Sequence, residues 1–487
     1  MLKTRWSARV PVLVASIVAA GGLLAGCNLI LGIEDLSNAG GSSGSSVTAA
    51  SSSGTACGDP CLSVAWALPI GSTADDHAHE LAVDASGTSF FAGDVTAAST
   101  LAGAPFGPGV FVAAVLPTGT PVAMGQGDWP LSLPGRDPRV ALSPAGGFIA
   151  ADFDSSIVLN GTTYDGPGAY VIRVGAAGHI VDARVFDATA AGASVDVRGV
   201  TAIPDGVLVY GQFTGSVNFG VLGTKVSQSS GADGFVAALT TSPWIHTYTG
   251  MGVGTTTVNA VVQAKNGDLI LTGRRMGATS FPTPAPAGAG LFVARLSSDG
   301  NTSVAPPRTL ETGGYGRSLS LRSDGGVILT GASQDKSLLF PLPSGSKTVP
   351  PKTAFVARLD PTNAFVFVIP VPGVVADEIV AGVSPLDNVF VTGSFAGTLS
   401  FDNQAPQASK GGTDMFVALL DANSGGHLAS RTFGAGLDDH GAALGLSPGS
   451  LTVAGSFTGD VDFDGTKLTS MGAGDAVVVH FAGLEKY

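Results

Sequence analysis

Charged side chains are scarce in this sequence. They make up 13% of 487 residues, where an average soluble domain holds about 25%. With 44% hydrophobic residues, the shortage cannot mean a disordered chain, which needs low hydrophobicity and high charge. What charge there is leans acidic: 24 Lys and Arg stand against 37 Asp and Glu, a net charge of −13. An acidic surface without basic runs repels phosphate backbones, so no nucleic-acid partner is expected. Cysteine is nearly absent, with three in all, which excludes a disulfide-rich scaffold and a cysteine zinc site. Histidine (7) and tryptophan (4) are few. There is no His-Glu-x-x-His, no P-loop, no nucleophile elbow leading a strand into a helix, and no Trp-Asp dipeptide. No catalytic residue can be assigned, and the chain is not expected to be an enzyme.

Glycine is abundant instead, 70 residues, about twice the usual share. Sparse charge with many glycines suits short strands, tight turns and covered sheet faces.

The first 60 residues have a different composition from the rest. Lys3, Arg5 and Arg9 precede an apolar run from Val10 to Ala25. That run is short for a membrane span of about 20 residues and has the form of a signal-peptide core. It ends Leu24-Ala25-Gly26-Cys27, which resembles a bacterial lipobox. The resemblance implies cleavage before Cys27, acylation of its sulfur, and anchoring in a membrane by the attached lipid. Asn28, where an Asp would favour inner-membrane retention, is similar to the outer-membrane pattern. Residues 37–56 are rich in Ser, Gly, Ala and Thr, a flexible tether composition. Cys57 and Cys61 then flank Gly-Asp-Pro, and in an oxidising envelope they read as a small disulfide loop. The expected organisation is a signal peptide over 1–26, a lipidated tether over 27–60, and one folded body over 61–487.

Two repeats fix the fold of that body. An apolar run closes on Gly93, Ala151, Gly211, Gly273, Gly331, Gly393 and Gly455, at intervals of 58 to 62 residues. A second run starts at Phe111, Tyr170, Phe235, Phe292, Phe355, Phe416 and Ala476, in phase with the first. Weaker strands flank them. Ala260–Gln263 comes before the glycine run, and Ser430–Phe433 follows the Phe run. Turn signals such as Asp84-Ala-Ser-Gly87 and Lys265-Asn-Gly267 separate the first two strands. The middle runs are continuously apolar, so both their faces must be covered. Four strands per unit and seven units predict an all-β, seven-bladed propeller. The last unit ends on its third strand, and Leu62–Pro69 has no unit of its own. That segment is predicted to complete the last blade and close the ring.

Gly-Ser-Phe-Thr-Gly-Asp-Val-Asp-Phe (455–463), Gly-Gly-Thr-Asp-Met-Phe-Val-Ala (411–418) and Asp-Asp-His-Gly-Ala-Ala (438–443) resemble SBBP-type β-propeller repeats of bacterial secreted and surface proteins. The resemblance covers residues 62–487. It is weakest near the Pro-rich stretches 281–286 and 341–351, and it carries no catalytic residues with it.

Candidate functional residues follow from the ring. Asp76, His77 and His79 in the first unit and Asp439 and His440 in the last become neighbours on closure. Two histidines with carboxylates suit a divalent metal, while the plainer reading is hydrogen bonding at the channel mouth. Asp377-Glu378 is a weaker acidic echo in the sixth unit. Asp233, Asp414 and Asp475 precede the third strand in Gly-rich turns and read as turn caps. Trp129, Trp244, Tyr164, Tyr248 and Tyr315 are expected on loops or outer strands, where aromatics can stack on sugars or peptides. No cofactor is expected beyond that metal. The expected function is a binding or scaffold module of the cell envelope, partnered by an envelope or extracellular protein or glycan. The alternatives are an envelope hydrolase or lyase acting from one face and a structural subunit of an envelope assembly.

Overall fold

The computed structural model describes residues 62–101, 104–122, 129–143, 146–175, 178–228, 230–249, 254–277, 289–310, 313–401 and 405–487. Cys27, Cys57 and Cys61, and with them the expected signal peptide, tether and disulfide, lie outside the described residues.

The repeat builds seven blades, each of four antiparallel strands running from the channel outward. Their inner strands are Asp76–Val83, Arg136–Ser143, Ser194–Ile203, Thr256–Gln263, Gly314–Leu321, Val380–Val383 and His440–Ser447. These contact one another in chain order, and that of blade 7 packs against that of blade 1. The glycine runs form the second strands and the Phe runs the third. Sandwiching explains their unbroken apolarity: Val477, Val478, Val479 and Phe481 are all fully buried. Each such side chain contributes roughly 1.5–3 kcal/mol on burial.

Closure follows the sequence expectation. Ser63–Ile70 is the outer strand of blade 7 and pairs with Asp475–Ala482, with Trp66 opposite His480. The Trp66 indole stacks on the His480 ring at 5.0 Å. Its N–H donates to the Pro117 carbonyl of blade 1 at 2.8 Å, so one side chain ties both ends of the ring.

Beyond the four strands of each blade, most units carry a short extra pair. In blades 1, 2, 3, 5 and 7 the connection between second and third strands folds into an additional hairpin, as at Asp460–Phe463 and Thr466–Thr469. Blade 6 lengthens the two strands themselves, to Val389–Leu399 and Gln407–Leu420. The hairpin of blade 3 reaches the outer strand of blade 2 at Asp187–Asn218. Phe219 there packs on Phe186, with ring centroids 4.9 Å apart. The repeated Phe of the Gly-Ser-Phe-Thr-Gly-Asp-Val-Asp-Phe motif is thus an anchor between blades.

In most blades the repeated glycine of the second strand answers a bulge opposite. In blades 1, 3, 4, 5 and 7 the inner strand carries one extra residue: His79, Arg198, Asn259, Arg317 or Ala442. A Cβ on Gly455 would fall on the His440 carbonyl, and one on Gly273 on that of Thr257. In blade 2 the pairing skips from Arg136–Asp152 to Arg139–Ala150, around Asp137 and Pro138, and there Ala151 is accommodated. Bulges re-aim side chains, and here they turn the extra residue toward the channel.

Candidate functional site at the channel mouth

Antiparallel neighbours place the start of every inner strand and the end of every second strand on the same face. That face carries the hairpins and the channel mouth. The other face carries tight turns such as 84–87, where Asp84 Oδ1 accepts the N–H groups of Ser86 at 2.8 Å and Thr88 at 2.9 Å.

On the seam side, formed by blades 6, 7 and 1, the structure divides the expected metal set. Asp76 and Asp439 are 0% and 1% exposed and do not face the mouth cavity. Asp76 accepts the N–H of Ser72, and that of Thr96 at 3.0 Å. Asp439 accepts those of Ala435 and Thr458, each at 3.0 Å. Both therefore clamp the linker from the preceding blade to the loop after their own second strand. Burial pushes the Asp439 carboxyl up to about 6 against those two donors.

His77, His79 and His440 do meet, lining one cavity of about 250 Å³ with Glu378, Arg139 and Arg317. Each histidine has a carboxylate partner other than the expected one. His77 Nε2 lies 3.3 Å from Asp75, His79 is paired with Asp94, and His440 Nδ1 lies 3.0 Å from Glu378. The acidic echo at 377–378 thus supplies the partner of His440. The hydrogen bond it donates to Glu378 holds the His440 imidazolium above its usual range. Burial works to raise the Glu378 carboxyl, but His440 and Ser394 hold it below the usual range. Among the described residues no group of three His, Cys, Asp or Glu side chains is placed to hold a metal ion.

On the far side, arginines from four successive blades converge: Arg139, Arg198, Arg274 and Arg317. With Lys352 they line a second cavity of about 710 Å³. It shares Arg139, Arg317 and Asp377 with the first, so the two are halves of one mouth. Deeper in the channel, burial raises the Glu80 carboxyl above its usual range, opposed by the charges of Arg139 and Arg317. Burial and the nearby charge of Arg139 depress Arg317.

Sequence reasoning missed these arginines. The signal was present, since Arg198 and Arg317 hold the same repeat position as His79. Among the aromatics, Trp129 and Tyr248 are each 2% exposed. Trp244 lies against His246 at 4.8 Å, and Tyr164 packs on the core of blade 2. Only Tyr315, of the five, lines the far-side cavity, and it sits on an inner strand rather than a loop or outer strand. Asp414 and Asp475 accept the N–H groups of Lys410 and Met471, each at 3.0 Å. Asp233 accepts that of Gln228 at 2.7 Å. All three are turn caps, as expected. Gly445–Gly449 spells a Gly-x-Ser-x-Gly string, but it links two strands as a hairpin in which Ser447 bonds Ser450 at 2.6 Å.

No family model matches this chain, and no curated protein does. Solved structures do resemble it at low identity. A quinohemoprotein alcohol dehydrogenase from Comamonas testosteroni is 10% identical with a TM-score of 0.41, over 88% of this chain and 77% of that one. A europium-containing methanol dehydrogenase is 10% identical at 0.39, over 86% and 93%. The Dos1 propeller is 11% identical at 0.38, over 86% and 95%. The fold rests on the strand order above, and these likenesses assign no chemistry.

Proposed function

We propose that this chain is an SBBP-type envelope lipoprotein that displays its propeller as a binding module, with the hairpin-bearing face turned to the partner. The observation that carries the reading is the mouth itself. It is an open, charged cavity framed by inner strands of successive blades, in a ring whose other face carries tight turns. The rim placement of Ser63–Ile70 supports it too. A tether from an acylated Cys27 would join the ring at the edge of blade 7, away from the channel axis.

Two measurements test this. Cys27→Ser is expected to abolish palmitate incorporation and to release the protein from the membrane fraction; continued labelling and membrane association would refute the lipoprotein part. Crosslinking on intact cells, followed by mass spectrometry, is expected to recover one recurrent partner from residues around the mouth. Capture confined to the tight-turn face would refute the assignment of the binding face.

A further inference from the structure

The far side of the mouth has more cations than it can pair. Five positive side chains, Arg139, Arg198, Arg274, Arg317 and Lys352, share the cavity with two acids, Asp335 and Asp377. Asp196 beside Arg198 and Glu80 deeper in the channel also act on these cations, which leaves a local excess of one positive charge in a chain of net charge −13. A dispersed solvating surface would not concentrate cations against the overall sign.

Hydrogen bonding orients the guanidinium groups and leaves donors unused. Arg139 Nε donates to the Arg198 carbonyl at 3.0 Å, and its Nη1 to the Pro138 carbonyl at 3.1 Å. Arg317 Nε donates to the Asp377 carbonyl at 2.9 Å. Neutral carbonyls thus hold both side chains, while Arg139 Nη2 and both terminal nitrogens of Arg317 have no acceptor among the described residues. The Arg274 side chain makes no hydrogen bond or ion pair with the described residues, while its backbone pairs within blade 4. Among the described residues Arg198 alone of these has an ion-paired carboxylate, Asp196 at 2.6 Å. On the seam side, by contrast, all three histidines of the mouth have one. Held guanidinium groups with free paired N–H donors match carboxylate and phosphate oxygens. Crowding like charges is unfavourable, and a bound anion would relieve the excess.

We propose that the arginine side of the channel mouth is a binding site for a small ligand bearing two or more oxyanion groups, carboxylate or phosphate. Arg139, Arg274 and Arg317 are its principal donors. The inference rests on the reading of the ring as a binding module and names the ligand chemistry of that module.

The test is calorimetric titration of the full-length protein in detergent micelles at low salt. Citrate, inorganic pyrophosphate and a galacturonic acid trimer serve as probes, with a neutral galactose trimer as control. At least one anionic probe is expected to bind with a dissociation constant below about 1 mM, weakening as salt is added. Response to pyrophosphate alone would identify a phosphate ligand, and response to the uronate trimer alone an acidic glycan. Arg274→Gln with Arg317→Gln is expected to weaken binding at least about tenfold. Asp84→Asn, on the opposite face, should leave it unchanged. Arg274→Gln alone removes no hydrogen bond seen in the structure and keeps the test valid if the double variant folds poorly. Absence of binding by all three anions, or equal affinity in Arg274→Gln and wild type, would overturn the proposal. Recurrent partner capture on cells alongside silent titrations would refute the anion site and leave the binding module standing. Anion binding with no captured protein would do the reverse for a protein partner.

Discussion

The seam side and the arginine side of the mouth are built on the same backbone and carry opposite solutions. The bulge residue is His79 in blade 1 and Arg198 or Arg317 in blades 3 and 5. Around the seam, each mouth histidine meets a carboxylate, and Asp76 and Asp439 clamp the joints between blades. Across the channel, guanidinium groups are held by backbone carbonyls, and the cations outnumber the acids. The fold supplies an equivalent bulge position in five blades, and the residue there decides whether it is matched within the ring or faces a ligand. Where the ring must close, charges are matched; where it does not, they are left for another molecule.

The largest effect should come from removing the closure. Deleting residues 62–70 exposes the edge of Asp475–Ala482 and discards Leu62 and Ile70, each 1% exposed. It also cuts the Trp66 tie to blade 1. The cost should exceed about 5 kcal/mol, comparable with the whole stability of a typical domain. Thermal unfolding should lose its cooperative transition, and size-exclusion chromatography should show aggregate. A monomer melting close to wild type would mean that the seam is not where the ring is held.

A smaller and opposite effect is expected beside the arginine side. Asp152, 3% exposed, accepts the Val197 N–H at 3.2 Å between blades 2 and 3. Burial pushes its carboxyl up to about 7, with Asp196 adding repulsion. Its folded-state value lies above the ordinary 3.8, so the folded state holds the proton more tightly. Stability is therefore full at acid pH and falls as pH rises through about 7. Asp152→Asn keeps the acceptor and removes the charge. It should stabilise by about 1–2 kcal/mol near pH 8 and by nothing near pH 3. Denaturant melts at the two pH values check this, and an equal effect at both would exclude a charge origin.

The architecture could be read from the sequence because it repeats. Six glycines and one alanine, with seven aromatic or small residues in phase, leave one ring size, and an orphan strand leaves one way to close it. The additional hairpins escaped because their strands are three to five residues long and alternate weakly, as in Ser216–Asn218 and Thr224–Val226. The mouth was legible by half. Adjacency of the first and last units follows from closure, so His77, His79 and His440 were found together. Which carboxylates serve them depends on where loops place Asp75, Asp94 and Glu378, and no periodicity encodes that. The arginines lie in four separate repeats with different local sequences. Only the register that aligns Arg198 and Arg317 with His79 reveals them as one set.

The smallest effect tests whether seam charges are indeed matched for stability. Glu378→Gln keeps the shape and removes the partner of His440, a pair whose side chains are 29% and 33% exposed. Asp438, Asp439 and Arg317 also act on this pair. Glu378 is depressed below 4.5, so its contribution is present above that value and lost as pH falls through the lowered one. His440 is raised above 6.5, so its contribution is full below 6.5 and lost as pH rises through the raised value. The two windows overlap between 4.5 and 6.5. There the variant should be weaker by about 0.5–1 kcal/mol, the range of a partly solvated pair. The difference should shrink on either side. A deficit that stays flat across this range would assign Glu378 a packing role and remove the electrostatic distinction between the two sides of the mouth.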